Sequence, residues 1–106
     1  MNAKATELSG TTGGAGGGSA ESMYNQGVVL FNAGKYAEAK VQFDAATKAD
    51  PNNANAFYQL GMTALNLGQI PDAVAALQTF LKLAPNDPKA AQVQSSLPAL
   101  QQMLPK

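Results

Sequence analysis

Two stretches of the sequence decide the fold: YNQGVVLFNAGKYAEAKVQFDAATKADPN at residues 24–52 and YQLGMTALNLGQIPDAVAALQTFLKLAPN at residues 58–86. When the first stretch is compared with the second at an offset of 34 residues, the same amino acids recur at many positions. The identical pairs are Tyr24/Tyr58, Gly27/Gly61, Asn32/Asn66, Gly34/Gly68, Ala39/Ala73, Lys48/Lys82, Pro51/Pro85 and Asn52/Asn86. A period of this length is typical of helical units that stack on one another.

Each copy divides into two helices. Gly34 and Gly68 each follow an apolar turn, where glycine supplies the left-handed conformation that ends a helix. Pro71 suits the first turn of a new helix, and Pro51 and Pro85 each mark the end of a copy. The predicted helices span about 20–33, 37–49, 54–67 and 71–83.

A fifth helix is predicted after the second copy. Asp87 can cap its N-terminus, with Pro88 in the first turn. Apolar residues then recur at helical spacing, at Ala90, Val93, Leu97, Leu100 and Leu104. Residues 88–106 are therefore expected to cap the second helix pair and to cover Val74, Phe80 and Leu81. Because proline lacks an N–H donor, a kink, or alternatively a break, is expected near Pro98.

The first 19 residues differ in composition from the rest of the chain. Residues 9–19 read SGTTGGAGGGS and contain no large apolar side chain. Such a segment cannot offset the entropy lost on ordering. The expected organisation is a flexible linker or tail at 1–19, repeats at 20–53 and 54–87, and the C-terminal helix.

Composition excludes several classes of function. The chain has no histidine and no cysteine, which removes the commonest general base, thiol nucleophile and transition-metal ligands. Seven lysines, with no arginine, balance seven acidic residues, so no basic surface is expected for nucleic acid. No apolar run reaches the length of a membrane span. We expect a non-enzyme without cofactor, metal or direct membrane insertion. Absence of cysteine leaves cytoplasm and periplasm equally open.

The repeat length and its small residues resemble the tetratricopeptide repeat over roughly residues 20–87. The matching residues are Gly27, Ala39, Phe43, Ala46 and Pro51, then Phe57, Leu60, Gly61, Ala73, Leu77 and Pro85. Two positions depart from the family pattern: Gln26 replaces a large apolar residue and Phe80 a small one. The resemblance implies an all-α superhelix of antiparallel helix pairs, and Phe80 is expected to displace the helix that follows.

A second apolar stripe runs along the first helix of each copy. Its residues, Tyr24, Val28 and Phe31 and then Tyr58, Met62 and Leu65, lie at i, i+4, i+7 spacing, beside the stripe that faces the helix pair. In the resembling family the first helices line a concave surface that receives peptides. The resemblance therefore implies that these six side chains face a peptide-binding groove, with Asn32, Asn55 and Asn66 available for hydrogen bonds.

Alternatives remain for this stripe and for the partner. The apolar side chains can instead be buried by packing between the repeats or against the C-terminal helix. In that case Phe31 and Leu65 are expected to be more buried than Tyr24 and Tyr58. The module can also act as a self-associating adaptor through exposed apolar faces. Some tetratricopeptide modules hold a chaperone's C-terminal carboxylate with basic side chains on the first helices; those helices carry none here, which disfavours that partner.

Overall fold

The computed structural model describes residues 18–104, which form five α-helices and no strand. Each helix packs against the next one along the chain, and α1 also contacts α3. The helices are α1 Gly18–Asn32, α2 Tyr36–Ala49, α3 Ala54–Asn66, α4 Ile70–Leu83 and α5 Pro88–Gln102. Short connections between neighbouring helices give an antiparallel succession. The predicted all-α fold of repeated helix pairs is confirmed.

Both helix pairs turn through the same backbone arrangement. Gly34 and Gly68 have φ values of +81° and +74°, in the region that favours glycine. In the first turn the Lys35 N–H donates to the Leu30 carbonyl at 2.8 Å, and in the second the Gln69 N–H donates to the Ala64 carbonyl at 2.9 Å. These bonds complete the Schellman arrangement at a helix C-terminus. The glycine positions thus fix where α1 and α3 end.

Two helices begin with a polar side chain that accepts a backbone hydrogen bond. Asn53 accepts from the Ala56 N–H at 3.1 Å at the start of α3, and Asp87 accepts from the Lys89 N–H at 2.8 Å at the start of α5. The backbone hydrogen bond from Lys89 is the main cause that lowers the pKa of the Asp87 carboxyl below its ordinary value of 3.8. The N-cap expected at Asp87 is therefore present.

The first core cluster joins the two repeats. It consists of Ala39, Phe43, Leu60 and Ala76, with residues from α2, α3 and α4. Gly27 of α1 is buried against it, and a Cβ atom at that position would lie 2.6 Å from Cε1 of Phe43. A larger residue would force α1 and α2 apart.

The second core cluster joins α4 to α5. Its buried members are Val74, Leu77, Phe80, Ala90, Val93 and Leu97, and Leu81 packs against them. Phe80 has no exposed surface. The large ring at a position where the family usually has a small residue is thus enclosed by α4 and α5. Burial against α5 is how the second helix pair avoids exposing this apolar surface to water.

One expected boundary differs from the structure. α1 begins at Gly18, so Gly18 and Ser19 lie in the helix and not in the linker. A first helical turn needs no large apolar side chain, and Glu21 in that turn complements the helix dipole. The rest of the expected linker lies outside the described residues. α5 is one continuous helix with Pro98 inside it, so the chain is not broken there.

Candidate functional site

The N-terminal half of the predicted groove lies on α1. Tyr24, Val28 and Phe31 are half-buried and pack against the first core cluster. Their spacing places them on one face of the helix, beside the face that carries Gly27. Each of the three side chains is therefore partly buried by the core and partly accessible at the surface.

The second half of the groove lies on α3, between α1 and the C-terminal helix. Tyr58, Met62 and Leu65 are half-buried and line a cleft of about 70 Å³. We call it the α3–α5 cleft; its other lining residues are Leu77, Gln92, Val93 and Ser96. α5 thus stands beside α3 and partly closes this half without filling it.

Each groove tyrosine packs against a buried phenylalanine, but not at equivalent positions. The Tyr24 ring meets Phe43 edge-on at 5.8 Å between centroids, and the Tyr58 ring meets Phe80 at 5.3 Å. Phe80 lies one helical turn beyond the residue that corresponds to Phe43. All four side chains are half-buried, so the expectation that the tyrosines are more exposed than Phe31 and Leu65 stays a prediction.

The three asparagines beside the stripe lie in different surroundings. All are exposed. Asn66 donates from Nδ2 to the Met62 carbonyl at 2.9 Å, within its own helix. Asn55 lines a separate cleft together with Tyr24. The Asn66 amide is thus partly occupied, whereas Asn55 stands at the N-terminal end of the groove.

The cleft at that end was not found by sequence reasoning. It has a volume of about 330 Å³, and we call it the acidic cleft. Its lining residues are Ala20, Glu21, Tyr24, Asn25, Asp50, Asn53 and Asn55. The carboxylates come from the first turn of α1 and from the residue after α2. Their sequence separation hides the arrangement, although the i, i+3 spacing of Glu21 and Tyr24 signals one shared helix face.

Another cleft, of about 340 Å³, lies between α2 and α4 over Phe57 and Leu60 of α3. It is larger than the α3–α5 cleft, but its polar groups already bind one another. Lys40 donates to Asp72 at 2.6 Å and also to Gln69, and the Thr47 hydroxyl donates to the Asp44 carbonyl at 2.8 Å. A ligand there would have to replace these bonds. We therefore place the candidate site on α1 and α3.

The described residues offer little to a metal or a membrane. Within residues 18–104 no three acidic, histidine or cysteine side chains come together as metal ligands. No helix in this range has the length and apolar character required to cross a bilayer.

Comparison with known proteins agrees with the repeat geometry. The sequence profile described as tetratricopeptide repeat matches residues 24–88, more than half of the chain. A search of curated proteins found no significant match. Repeats of this kind generally mediate protein–protein interactions and are typically non-catalytic. The profile match and the paired helices together show that the chain belongs to the tetratricopeptide repeat family.

Proposed function

We propose that the protein binds a peptide or an exposed segment of another protein along α1 and α3, in the groove lined by Tyr24, Val28, Phe31, Tyr58, Met62 and Leu65. One observation carries the proposal. These six side chains lie on two equivalent helices, and although five of them pack against the core clusters, each keeps part of its surface accessible to solvent. Apolar surface that is concentrated on one face indicates an interaction site.

The α3–α5 cleft supports an apolar anchor on the ligand. Its volume of about 70 Å³ is open, and Tyr58, Met62 and Leu65 form one wall. A ligand that inserts an aliphatic group there buries apolar area on both partners. The exposed Asn32 and Asn55 amides supply hydrogen bonds to its backbone.

The packing of the tyrosines determines which variants can test the proposal. Replacing Tyr24 or Tyr58 by alanine would remove contacts to Phe43 or Phe80 and destabilise the fold as well as the site. Val28→Lys and Met62→Lys test the site more specifically, because neither removes a ring that contacts Phe43 or Phe80. Both side chains are half-buried and Val28 packs against the first core cluster, so the thermal midpoint of each variant is compared with that of the wild type. A lysine stem can lie along the surface with its ammonium in water, and an apolar ligand would have to remove water from that charge in order to bind.

The test is selection of peptides from a random display library on the pure protein, followed by calorimetric titration of the enriched peptides. We expect both groove variants to bind at least about tenfold more weakly, a loss of about 1.4 kcal/mol. Val41→Lys is the matched control, because Val41 is 65% exposed on α2 and outside the groove. Equal affinity for all variants, or failure to enrich any peptide, would contradict the proposal.

Self-association is a second candidate, favoured by the exposed face of α1. Gln26 and Val29 correspond by the repeat to Leu60 and Thr63, which α3 buries. Val29 is 67% exposed. A helix pair from a second copy could stack on this face as α3 stacks on α2. Sedimentation velocity over a range of concentrations tests this candidate. A wild-type dimer that the Val29→Lys substitution converts to a monomer supports self-association, whereas a wild-type protein that is monomeric at every concentration rejects it.

A further inference from the structure

We propose that the ligand carries a lysine or arginine side chain, which the acidic cleft receives beside Tyr24. This inference rests on the proposed function and specifies the chemistry of the partner. Tyr24 and Asn55 belong both to the groove and to the acidic cleft. A peptide segment bound in the groove therefore lies next to the opening of the acidic cleft. Their shared position makes the cleft part of the same surface.

The charged side chains that line the cleft are all negative. Its described lining includes two carboxylates and three carboxamides but no cationic side chain. Within residues 18–104, Asp44, Asp72 and Asp87 each pair with a lysine at 2.6 to 3.5 Å. Asp50 is the one aspartate of that range outside these ion pairs. A cation from a partner would supply the complementary charge.

Two backbone N–H groups beside the cleft already donate to its side chains. Oδ1 of Asp50 accepts from the Asn52 N–H at 3.2 Å, and Oδ1 of Asn53 accepts from the Ala56 N–H at 3.1 Å. The donors at the start of α3 that would attract an anion are therefore already partly occupied. Remaining lone pairs on the carboxylates match the N–H donors of a guanidinium or ammonium group.

The lining distinguishes an organic cation from a metal ion. Within residues 18–104 no three acidic side chains come together as metal ligands, and the described lining of this cleft holds two carboxylates. The half-buried Tyr24 ring adds an aromatic surface, over which a guanidinium or ammonium group is attracted. A volume of about 330 Å³ leaves room for a long side chain together with its hydration.

The position of the cleft also predicts spacing within the ligand. Asn55 at the cleft and Met62 in the groove are about 10 Å apart along α3, at about 1.5 Å per residue. An extended peptide covers that distance with about three residues. We therefore expect the basic residue about three positions from the apolar residue that enters the α3–α5 cleft.

The experiment uses the peptides enriched on the pure protein and their partners with Arg or Lys changed to Gln. Binding is measured for the wild type, for Glu21→Gln/Asp50→Asn, and for the control Glu38→Gln, an exposed acid on α2 outside the cleft. Asn at position 50 can still accept from Asn52. We expect the double variant to bind the basic peptide about tenfold more weakly and to bind the Gln peptide as the wild type does.

The outcomes separate this inference from the proposed function. The inference is overturned if the enriched peptides require Met62 for binding but contain no basic residue. It is also overturned if they keep their affinity when Arg or Lys is changed to Gln, and in both cases the proposed groove still stands. An equal loss for both peptides in the double variant also overturns it, because the carboxylates would then act through the fold. Failure to enrich any peptide rejects both proposals.

Discussion

Glycine at two equivalent positions sets how closely each helix pair packs. A Cβ atom on Gly61 would lie 2.7 Å from Cγ and Cδ2 of Leu77, and one on Gly27 would meet the Phe43 ring at a similar distance. Leu77 is 2% exposed and has little freedom to move away. Helix propensity alone would favour alanine over glycine at such positions by about 1 kcal/mol. Packing and propensity therefore act in opposite directions here.

The packing term should dominate at Gly61. We expect Gly61→Ala to destabilise the protein by about 1–3 kcal/mol, as overpacked cores do. Chemical denaturation measures the change. In a Leu77→Ala background the same substitution should cost much less, since the clashing atoms are gone. A stabilising effect in the wild-type background would show that α3 and α4 separate at no cost.

Asp87 makes stability depend on pH at the start of α5. Its folded-state pKa lies below the unfolded value, chiefly because the carboxylate accepts the Lys89 backbone hydrogen bond. The stabilisation is fully present above the unfolded pKa and is lost as pH falls through the folded pKa. Asp87→Asn keeps an N-cap but cannot titrate. The wild type should melt higher than this variant at neutral pH, with the difference shrinking below about pH 4. A difference that stays constant to pH 2 would contradict this.

At the scale of the helix, α5 combines a covering role with an internal proline. It buries Ala90, Val93 and Leu97 against α4, while Pro98 itself is exposed. Proline removes the N–H that would bond to the Gln94 carbonyl and crowds the preceding turn. The kink expected there remains a prediction, although the helix continues to Gln102.

Pro98→Ala should therefore stabilise the protein. The substitution restores a donor in the helix and leaves no cavity, because the proline ring is exposed. We expect a gain of about 1–3 kcal/mol in the free energy of unfolding. Denaturant titration of both proteins measures it, with the exposed Ala99→Ser as a control for changes on this surface. A lower stability would show that the docking of α5 onto α4 requires the proline geometry.

The helices could be predicted from sequence because their ends depend on local chemistry. Glycine at 34 and 68 and the caps at Asn53 and Asp87 act within a few residues. The aromatic partners of the groove tyrosines could not be predicted from sequence, since these contacts depend on tertiary packing. Repeat equivalence suggests that Tyr58 would meet the counterpart of Phe43, yet it meets Phe80, one turn further along α4. The acidic cleft was missed for the same reason.

At the scale of the molecule, the two repeats differ at their outer faces. In the first repeat Gln26 is exposed, whereas its equivalent Leu60 lies in the first core cluster. In the second repeat Phe80 is enclosed by α5. The departures from the family pattern thus occur where each helix pair meets either water or the C-terminal helix. Between these faces, α1 and α3 present the same apolar stripe side by side.

The location of the ligand is the central claim, and backbone amide chemical shifts during titration with an enriched peptide test it most directly. A chain of this size gives a resolved nitrogen–proton correlation spectrum. Occupancy of the groove predicts the largest shift changes along Tyr24–Phe31 of α1 and Tyr58–Leu65 of α3, with smaller changes near Gln92 and Ser96 of α5. Changes concentrated instead around Lys40, Thr47 and Thr79, in the cleft between α2 and α4, would contradict the account.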